Sequence, residues 1–244
     1  MTSKESILGV KVTALPIETL LKDIEKRIQS RDKGRIVAIN PEKIMMAQKD
    51  EKLAALLNQS AYQIPDGVGV SIASKLLKGS IRWRITGVGM MENLLQLSNE
   101  KNYRVFFYGA KEETVVKAIE KIKGKYPNLQ VAGYINGYEK NEEVIVSRIN
   151  EAKPDIVFVA LGSPRQERFI DGNMQRMSAA IYQGVGGSFD VFSGNVKRAP
   201  YVFRKFGLEW LYRLLSQPSR LKRQLALPQF LLLVLKEKFQ KGTR

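Results

Sequence analysis

Five short stretches of this chain combine the polar and glycine residues that substrate chemistry needs, and each follows an apolar run. They contain Asn40 in INPEK, Asp66 in IPDGVG, Gly109 in FYGA, Gly162 and Gln166 in LGSPRQE, and Gly187 and Asp190 in GVGGSFD. Glycine-rich turns expose backbone N–H groups and admit a ligand closely, which suits phosphate. Since the chain has no histidine and no cysteine, proton transfer falls to Asp, Glu, Lys or Tyr. The same absence excludes imidazole and thiolate metal sites.

Each stretch also has a purely structural interpretation. Asn40 and Pro41 are a typical helix start, and Pro65-Asp66-Gly67 is a typical turn. Ser163 and Glu167 resemble a capping box, and Gly186-Gly187-Ser188 resembles a tight strand-to-helix junction. The shared position of the stretches after predicted strands favours a pocket, because ligands of open α/β sheets bind beyond the carboxyl ends of the strands.

Several nucleotide-binding motifs are missing. The chain has no GxxxxGK[ST] motif, which disfavours a P-loop nucleotidase, and neither GVGVS nor GVGGS is the dinucleotide fingerprint GxGxxG. No Asp-x-Asp occurs, which disfavours a metal-chelated sugar nucleotide of the kind that many glycosyltransferases use. A diphosphate bound here would have to be neutralised by arginine or by backbone dipoles.

The elements that must position these stretches alternate between strand and helix. Ile156–Leu161 is almost wholly apolar, as expected of a strand buried on both faces. The alternation predicts a mainly parallel, Rossmann-like sheet in an α/β fold. The other predicted strands are Ile7–Val12, Arg35–Ile39, Ala61–Ile64, Arg104–Tyr108, Val131–Tyr134 and Ala180–Val185. The predicted helices are Ile17–Ile28, Pro41 to about Asn58, Val70–Leu77, Lys111–Lys123 and Glu142–Ala152.

Positive charge is concentrated at the end of the chain. Residues 196–244 hold twelve Lys or Arg against Glu209 and Glu237, which is +10 of the formal net charge of +16. We therefore predict an α/β catalytic domain over residues 1–195 and a basic helical appendage over 196–244. Such an appendage suits nucleic acid or an anionic membrane. The N-terminus lacks a signal-peptide pattern, and no apolar run reaches the roughly 18 residues of a spanning helix, so we expect a cytoplasmic protein.

The appendage mixes its cations with large apolar residues in two predicted helices, which Ser216–Ser219 separate. The first helix has Trp210, Leu211, Leu214 and Leu215 on one face. The second has an apolar side flanked by lysine and arginine, and this side contains Phe230, Leu231, Val234 and Leu235. A helix of this kind can lie in the plane of a membrane interface. The pattern predicts a membrane-docking segment.

Eight blocks, taken together, resemble one family from about residue 7 to 235. They are VAINPEK, PDGVGV, RITGVG, YGAKEE, GYINGY, KPDIVFVALGSPRQE, GVGGSFDVFSGNVKRAP and GLEWLYRLLSQPSRLKR. They are similar to the WecG/TagA/CpsF glycosyltransferases, glycosyltransferase family 26. The resemblance implies inverting, metal-independent transfer of N-acetylmannosamine from UDP to N-acetylglucosamine on a polyprenyl diphosphate, for wall teichoic acid. Within the family, N-acetylmannosaminuronate or glucose as donor, for common antigen or capsule, stays open.

The resemblance also implies roles for individual residues. Asp66 matches the proposed general base, and Asp190 matches a nucleoside contact in the GVGGSFD loop. The substrate pocket would include Asn40, Arg84 and Gln166, with turn glycines Gly109, Gly162 and Gly187. Arg213, Arg220 and Arg223 match arginines of an appendage thought to close over the site, although they also suit a solvated basic face. Three positions depart from the family pattern, namely Ala38 in place of Thr, Ile135 in place of His and Gly89 in place of an acidic residue.

The implied partners are a UDP-sugar donor, a lipid-linked N-acetylglucosamine acceptor and the anionic inner face of the cell membrane, with self-association as a further expectation. No cofactor and no nucleic-acid partner are expected. The hypothesis from another class is a basic nucleic-acid-binding α/β protein. It accounts for the net charge but not for the leucines among the cations, and no RNP, KH or zinc-finger pattern is present.

Overall fold

A computed structural model describes residues 3–205, 207–216 and 226–242 of the chain. The strands are β1 Lys4–Ile7, β2 Val10–Thr13, β3 Gly34–Ile39, β4 Tyr62–Pro65, β5 Arg104–Gly109, β6 Gln130–Ile135, β7 Ile156–Ala160 and β8 Ile181–Gly184. The helices up to α6 are α1 Ile17–Ser30, α2 Pro41–Ala47, α3 Glu51–Asn58, α4 Val68–Leu76, α5 Gly87–Lys101 and α6 Glu112–Lys125. The later ones are α7 Glu142–Ala152, α8 Arg165–Asn173, α9 Ser188–Ser193, α10 Tyr201–Lys205, α11 Glu209–Ser216 and α12 Ala226–Gly242.

Six strands form one sheet in the order β4-β3-β8-β7-β5-β6, and β1 and β2 form a separate antiparallel hairpin. The pairs β3–β8, β8–β7, β7–β5 and β5–β6 are parallel. All five residues of β7 are buried, as its apolar sequence predicts. The α/β class with a mainly parallel, Rossmann-like sheet and a C-terminal helix is confirmed.

By its contacts the chain divides into two compact units. Unit 1 contains the described residues up to Pro16, the stretch Ala38–Thr86, and the described residues from Ala199 onward. Unit 2 contains Ile17–Val37 and Gly87–Arg198. The C-terminal segment therefore groups with the first strands and helices, and a division into residues 1–195 and 196–244 stays a prediction.

Two predicted elements differ from the structure, and one observed helix was not predicted. Ile7–Val12 is not one strand, because Leu8 and Gly9 have φ of 48° and 78° and turn the chain into the β1–β2 hairpin. The predicted helix from Pro41 is two helices, since Asp50 accepts a hydrogen bond from the N–H of Leu53 and starts α3. Helix α5 was not predicted at all, although its Met90, Met91, Leu94 and Leu95 are buried.

Helix α12 is part of the body of unit 1, where it packs on α2 and α4. Phe230 and Val234 are fully buried, which places one side of α12 against the protein. The prediction that these two residues belong to a membrane-docking side of the helix is therefore wrong, because packing on the protein already covers them. A Cβ on Gly69 in α4 would lie 3.1 Å from Cδ1 of Leu227 and 2.6 Å from Cγ of Pro41, so the close approach requires glycine there. Near the other end of α12, Glu237 accepts a hydrogen bond from the N–H of Leu8 in the hairpin turn.

The core of unit 2 consists of apolar side chains from the sheet and the helices that cover it. Phe107 of β5 lies with its ring centroid 5.7 Å from that of Phe158 in β7 and 5.6 Å from that of Phe189 in α9. Tyr108 packs on Phe169 of α8 with 4.9 Å between ring centroids. These contacts hold the carboxyl ends of β5 and β7 and the starts of α8 and α9 in a fixed arrangement.

Candidate active site

Asp66 is the first residue after β4 in unit 1, and it is half-buried. Its backbone N–H donates to the carbonyl oxygen of Ile39, the last residue of β3, at 2.8 Å. Gly67 follows with φ of 88°, a conformation that favours glycine, and α4 begins at Val68. The sharp turn places the carboxylate-bearing residue at the carboxyl ends of two strands, where α/β sheets bind their ligands.

Arg84 is brought next to this turn by the chain itself, because the N–H of Ile85 donates to the carbonyl oxygen of Pro65 at 2.9 Å. The Arg84 guanidinium forms an ion pair with Glu209 of α11, with 3.3 Å between Nη2 and Oε1. The two side chains are only 23% and 19% exposed. The ion pair ties the C-terminal segment to the loop that carries Arg84.

Gly207 lets the chain before α11 approach this loop closely. Its φ is 73°, and a Cβ there would lie 3.1 Å from Cβ of Val68 and 3.4 Å from Nη1 of Arg84. A larger residue would push α11 away from the start of α4. The C-terminal segment therefore lies beside both Arg84 and the turn that follows Asp66.

Asn40 has the structural role that its sequence allows. Its Oδ1 accepts a hydrogen bond of 2.8 Å from the N–H of Lys43 and caps α2, with Pro41 in the first turn. The residue lies directly after β3 and is half-buried. Capping occupies one of the polar groups of its side chain and holds the start of α2 beside the end of the strand.

In unit 2, Gly109 and Gly162 are glycines for different reasons. A Cβ on Gly109 would lie 2.4 Å from the carbonyl oxygen of Ala160, so the close approach of β5 and β7 excludes a side chain. Gly162 has φ of 75°, and a Cβ there would meet no atom within 4 Å. Gly109, whose φ is 118°, is thus required by both packing and backbone conformation, whereas Gly162 is required by its backbone conformation alone and faces open space.

Gln166, in the first turn of α8, is only 3% exposed, and protein groups engage both ends of its amide. Its Oε1 accepts a hydrogen bond of 2.9 Å from the N–H of Gly186, and its Nε2 donates to Oε1 of Glu167 at 3.0 Å. A Cβ on Gly184 would lie 2.6 Å from that Nε2. Helix α8 has no side-chain cap, so the capping-box interpretation of Ser163 and Glu167 is wrong.

The loop after β8 leaves backbone open to solvent. Gly186 has φ of 53°, with no atom within 4 Å of a Cβ built on it, and Gly187 is exposed. Asp190 follows in α9 and is half-buried, and its carbonyl oxygen accepts a hydrogen bond from the N–H of Val196. The loop between β8 and α9 is therefore a place where a ligand can approach the main chain closely.

Unit 2 also has a polar cavity of about 380 Å³ beyond the carboxyl end of β6. Glu112 lines it and accepts hydrogen bonds of 2.7 Å from Asn136 and from the hydroxyl of Tyr134. Those bonds, from Asn136 first and then Tyr134, hold the pKa of Glu112 below its usual value. Arg148, Tyr138, Glu139 and Ile135 also line the cavity. The bonds to Glu112 fix the loop that follows β6.

Comparison with known proteins covers almost the whole chain. The family model described as the glycosyl transferase WecG/TagA/CpsF family matches residues 5–244. The chain belongs to this family. The N-acetylglucosaminyldiphosphoundecaprenol N-acetyl-beta-D-mannosaminyltransferase of Bacillus subtilis strain 168 is 39% identical over 240 residues, which is 98% of this chain and 94% of that protein. The enzyme of that name from Bacillus spizizenii is 41% identical over 221 residues (90% and 86%), and that from Staphylococcus aureus strain MW2 is 35% identical over 239 residues (97% and 94%).

Family membership favours the transferase hypothesis over the nucleic-acid hypothesis. The structure also shows where the three residues that depart from the family pattern lie. Ile135 is 2% exposed and belongs to the core of unit 2. Ala38, in β3, is 9% exposed. The carbonyl oxygen of Gly89 accepts a hydrogen bond from Nδ2 of Asn93 within α5. The first two departures thus lie in largely buried positions, and Gly89 lies in the first turn of a helix.

The arginines assigned from the family resemblance lie in the C-terminal segment. Arg213 is in α11, the helix that Glu209 begins. Arg220 and Arg223 lie outside the described residues. Their proposed closure over the site stays a prediction, and the described anchor of this segment near Asp66 is the pair of Arg84 with Glu209.

Two acidic residues that contact predicted site residues, one in each unit, are not predicted from the sequence. In the sequence, Glu209 is one of two acidic residues in a basic segment, and Glu167 resembles half of a capping box. Glu167 is in fact 1% exposed and accepts the hydrogen bond that orients Gln166. A buried glutamate indicates a specific hydrogen-bonding partner, because carboxylates are seldom buried without one.

The described part of the chain offers no group of three or more His, Cys, Asp or Glu arranged to hold a metal ion. The same part contains no helix long and apolar enough to cross a membrane.

Proposed function

We propose that this glycosyltransferase moves N-acetylmannosamine from UDP-N-acetylmannosamine to N-acetylglucosamine on undecaprenyl diphosphate, in the synthesis of the wall teichoic acid linkage unit. The observation that carries the proposal is the similarity over 98% of the chain to a relative named for this transfer to that lipid-linked acceptor. The placement of Asp66 at the carboxyl ends of β3 and β4 supports it independently, since the chain has no histidine to serve as base.

In the proposed mechanism, Asp66 accepts the proton of the attacking hydroxyl of the acceptor sugar. The hydroxyl oxygen forms a bond to the anomeric carbon as the bond from that carbon to the UDP oxygen breaks, which inverts the anomeric centre. The departing UDP gains negative charge, and a fixed guanidinium stabilises that gain. The backbone hydrogen bond from Ile85 to Pro65 holds the chain at Arg84 next to the turn that contains Asp66, which supports this role for Arg84. The exposed glycine loop with Gly187 and Asp190 is the proposed contact for the nucleotide.

A donor screen tests the proposed function. We expect UDP-N-acetylmannosamine, offered with a lipid-linked N-acetylglucosamine acceptor, to turn over faster than UDP-N-acetylmannosaminuronate or UDP-glucose, and to do so at nearly the same rate in EDTA. The metal-independent rate is expected because arginine and backbone groups would neutralise the diphosphate. UDP release and the mass of the lipid product are the measurements. Preference for another donor would contradict the proposed donor and would assign the protein to another pathway of the family. Loss of activity in EDTA would show that the reaction requires a metal.

We also propose that the enzyme works at an anionic membrane surface, with α12 as the contact. Leu232, Leu235 and Phe239 are 67%, 37% and 72% exposed and lie on one face of α12, opposite to the buried Phe230. Lys236 and Lys238 beside them are exposed. Each lysine near an anionic leaflet contributes about 1 kcal/mol, and the apolar stripe adds the burial of its side chains.

The triple variant Leu232→Ser, Leu235→Ser, Phe239→Ser is expected to bind anionic vesicles at least about tenfold more weakly, because it removes apolar area that would enter the interface. Co-sedimentation with vesicles of phosphatidylglycerol and phosphatidylcholine measures this affinity. Val144→Ser, in an exposed apolar position of α7, is the matched control. Substitution is a better test than truncation, since a chain lacking α12 would uncover the surface that Phe230 and Val234 occupy. Wild-type vesicle binding by the triple variant would rule out this stripe as the docking surface.

A further inference from the structure

The glycine loop after β8 is held by a two-step relay of side chains within unit 2. Glu167 accepts a hydrogen bond from Nε2 of Gln166, and Oε1 of Gln166 accepts one from the N–H of Gly186. Both side chains are almost fully buried, at 1% and 3% exposure. A hydrogen bond buried in this way is protected from competition by water, so its loss affects the groups at both ends.

The chemistry of the relay determines the orientation of the Gln166 amide. Oε1 of Glu167 accepts a hydrogen bond, so it selects the NH₂ end of the Gln166 amide, which is the only end of that amide that can donate. The carbonyl end must then point to the loop, where it meets the N–H of Gly186. A flipped amide would place its NH₂ group against that N–H, and two donors would face each other. Glu167 therefore determines, through Gln166, the hydrogen bond that holds the loop.

The loop that this relay holds has the features of a ligand contact. It follows the carboxyl end of β8 in a parallel sheet, its Gly186 has φ of 53°, and open space lies above Gly186. A side chain on Gly184 would collide with Gln166, so glycine there keeps the amide in place. The loop is thus anchored to the protein by Gln166, while the other side of Gly186 is open to a ligand.

We infer that Glu167 is a positioning residue for donor binding, which acts through Gln166 to fix the backbone of residues 184–187. The inference rests on the proposed function in one respect, namely that UDP is the ligand of this loop. Both ends of the Gln166 amide form hydrogen bonds with protein groups. In this inference Gln166 therefore holds the loop in position and does not itself bind the ligand.

A double-mutant cycle with Glu167→Gln and Gln166→Met tests the relay. Glu167→Gln keeps the shape of the side chain but permits the amide of Gln166 to flip, and Gln166→Met keeps its length without hydrogen bonds. Each variant is expected to raise the Kd of UDP and the KM of the UDP-sugar by about three- to tenfold, the range of one lost hydrogen bond. The kcat at saturating donor is expected to stay close to the wild-type value. Glu120→Gln, in an exposed position of α6, is the control.

The decisive result is the double variant. If Glu167 acts only through Gln166, the Kd of UDP for the double variant will not exceed the higher of the two single-variant Kd values. Independent effects that multiply would overturn the inference, because Glu167 would then act by another route. An unchanged Kd of UDP in both folded single variants would overturn it as well.

Hydrogen exchange at Gly186 tests the same contact without any ligand. Loss of the acceptor is expected to accelerate exchange of the Gly186 amide by about three- to tenfold in both variants of ligand-free protein, as measured by NMR. Unchanged exchange would overturn the relay even if the enzyme is active. A wild-type protein that binds no UDP would instead reject the proposed function, and exchange would still decide the relay. If Glu167→Gln does not fold, Gln166→Met alone must raise the exchange rate for the inference to stand.

Discussion

The Asp66→Asn variant is expected to lose a factor of about 10² to 10⁴ in kcat while it binds UDP with wild-type affinity. The amide has the shape of the carboxylate but cannot accept the proton of the attacking hydroxyl. The turn itself should persist, because its hydrogen bond to Ile39 comes from the backbone of residue 66. Release of UDP with a lipid-linked N-acetylglucosamine analogue gives kcat, and calorimetry gives the Kd of UDP.

Asp23→Asn is the control for this substitution, since it removes an exposed carboxylate of α1 whose partner is Arg27. Its turnover should match that of the wild type. Wild-type turnover in Asp66→Asn would remove Asp66 from the role of base, whereas loss of UDP binding in that variant would indicate a role in binding.

The Arg84→Gln variant is expected to lose a factor of about 10² to 10³ in kcat/KM, the usual cost of removing one fixed group that stabilises transition-state charge. Arg82→Gln is a close control, because Arg82 is exposed and its guanidinium donates to the backbone carbonyls of Gly79 and Ile81. Steady-state kinetics with the full-length enzyme and vesicle-borne acceptor measure both variants.

Glu209→Gln separates the two consequences of losing Arg84. It breaks the ion pair between Arg84 and α11 but leaves the guanidinium in place. A loss of only severalfold or less in Glu209→Gln would show that the charge of Arg84 acts on the substrate. An equal loss in both variants would contradict that role and would make the tether of α11 the important feature.

The fold was largely predictable because strands buried on both faces and amphipathic helices leave plain patterns. The run in β7 and the period of α1 are examples, and both elements occur where the sequence predicts them. The β1–β2 hairpin was missed because its turn includes Leu8, a residue type that rarely has positive φ and gives no turn signal. Helix α5 was missed because it begins at Gly87 within a glycine-containing block, where residues of low helix propensity conceal the pattern that follows.

The sequence predicts that the candidate site residues follow the ends of strands, but it does not predict which of them contact each other. The cap formed by Asn40 is local, since it involves a residue three positions away, and the sequence predicts it. Gln166 and Gly186 are 20 positions apart, and Arg84 and Glu209 are 125 apart, so only the tertiary fold brings them together. For α12 the sequence shows apolar residues around much of the helix. Packing on α2 and α4 decides that Phe230 and Val234 face the protein and Leu232 faces outward.

Unit 1 is assembled from three separate segments of the chain, and this affects how the protein folds during synthesis. The surface of α2 and α4 that Phe230 and Val234 cover is synthesised early, whereas α12, which covers it, is synthesised after all of unit 2. Both stretches of unit 2 have been synthesised by Arg198, so unit 2 can fold while unit 1 still waits. A nascent chain released before α12 is made would therefore carry an unprotected apolar surface and would be a natural target for chaperones and proteases.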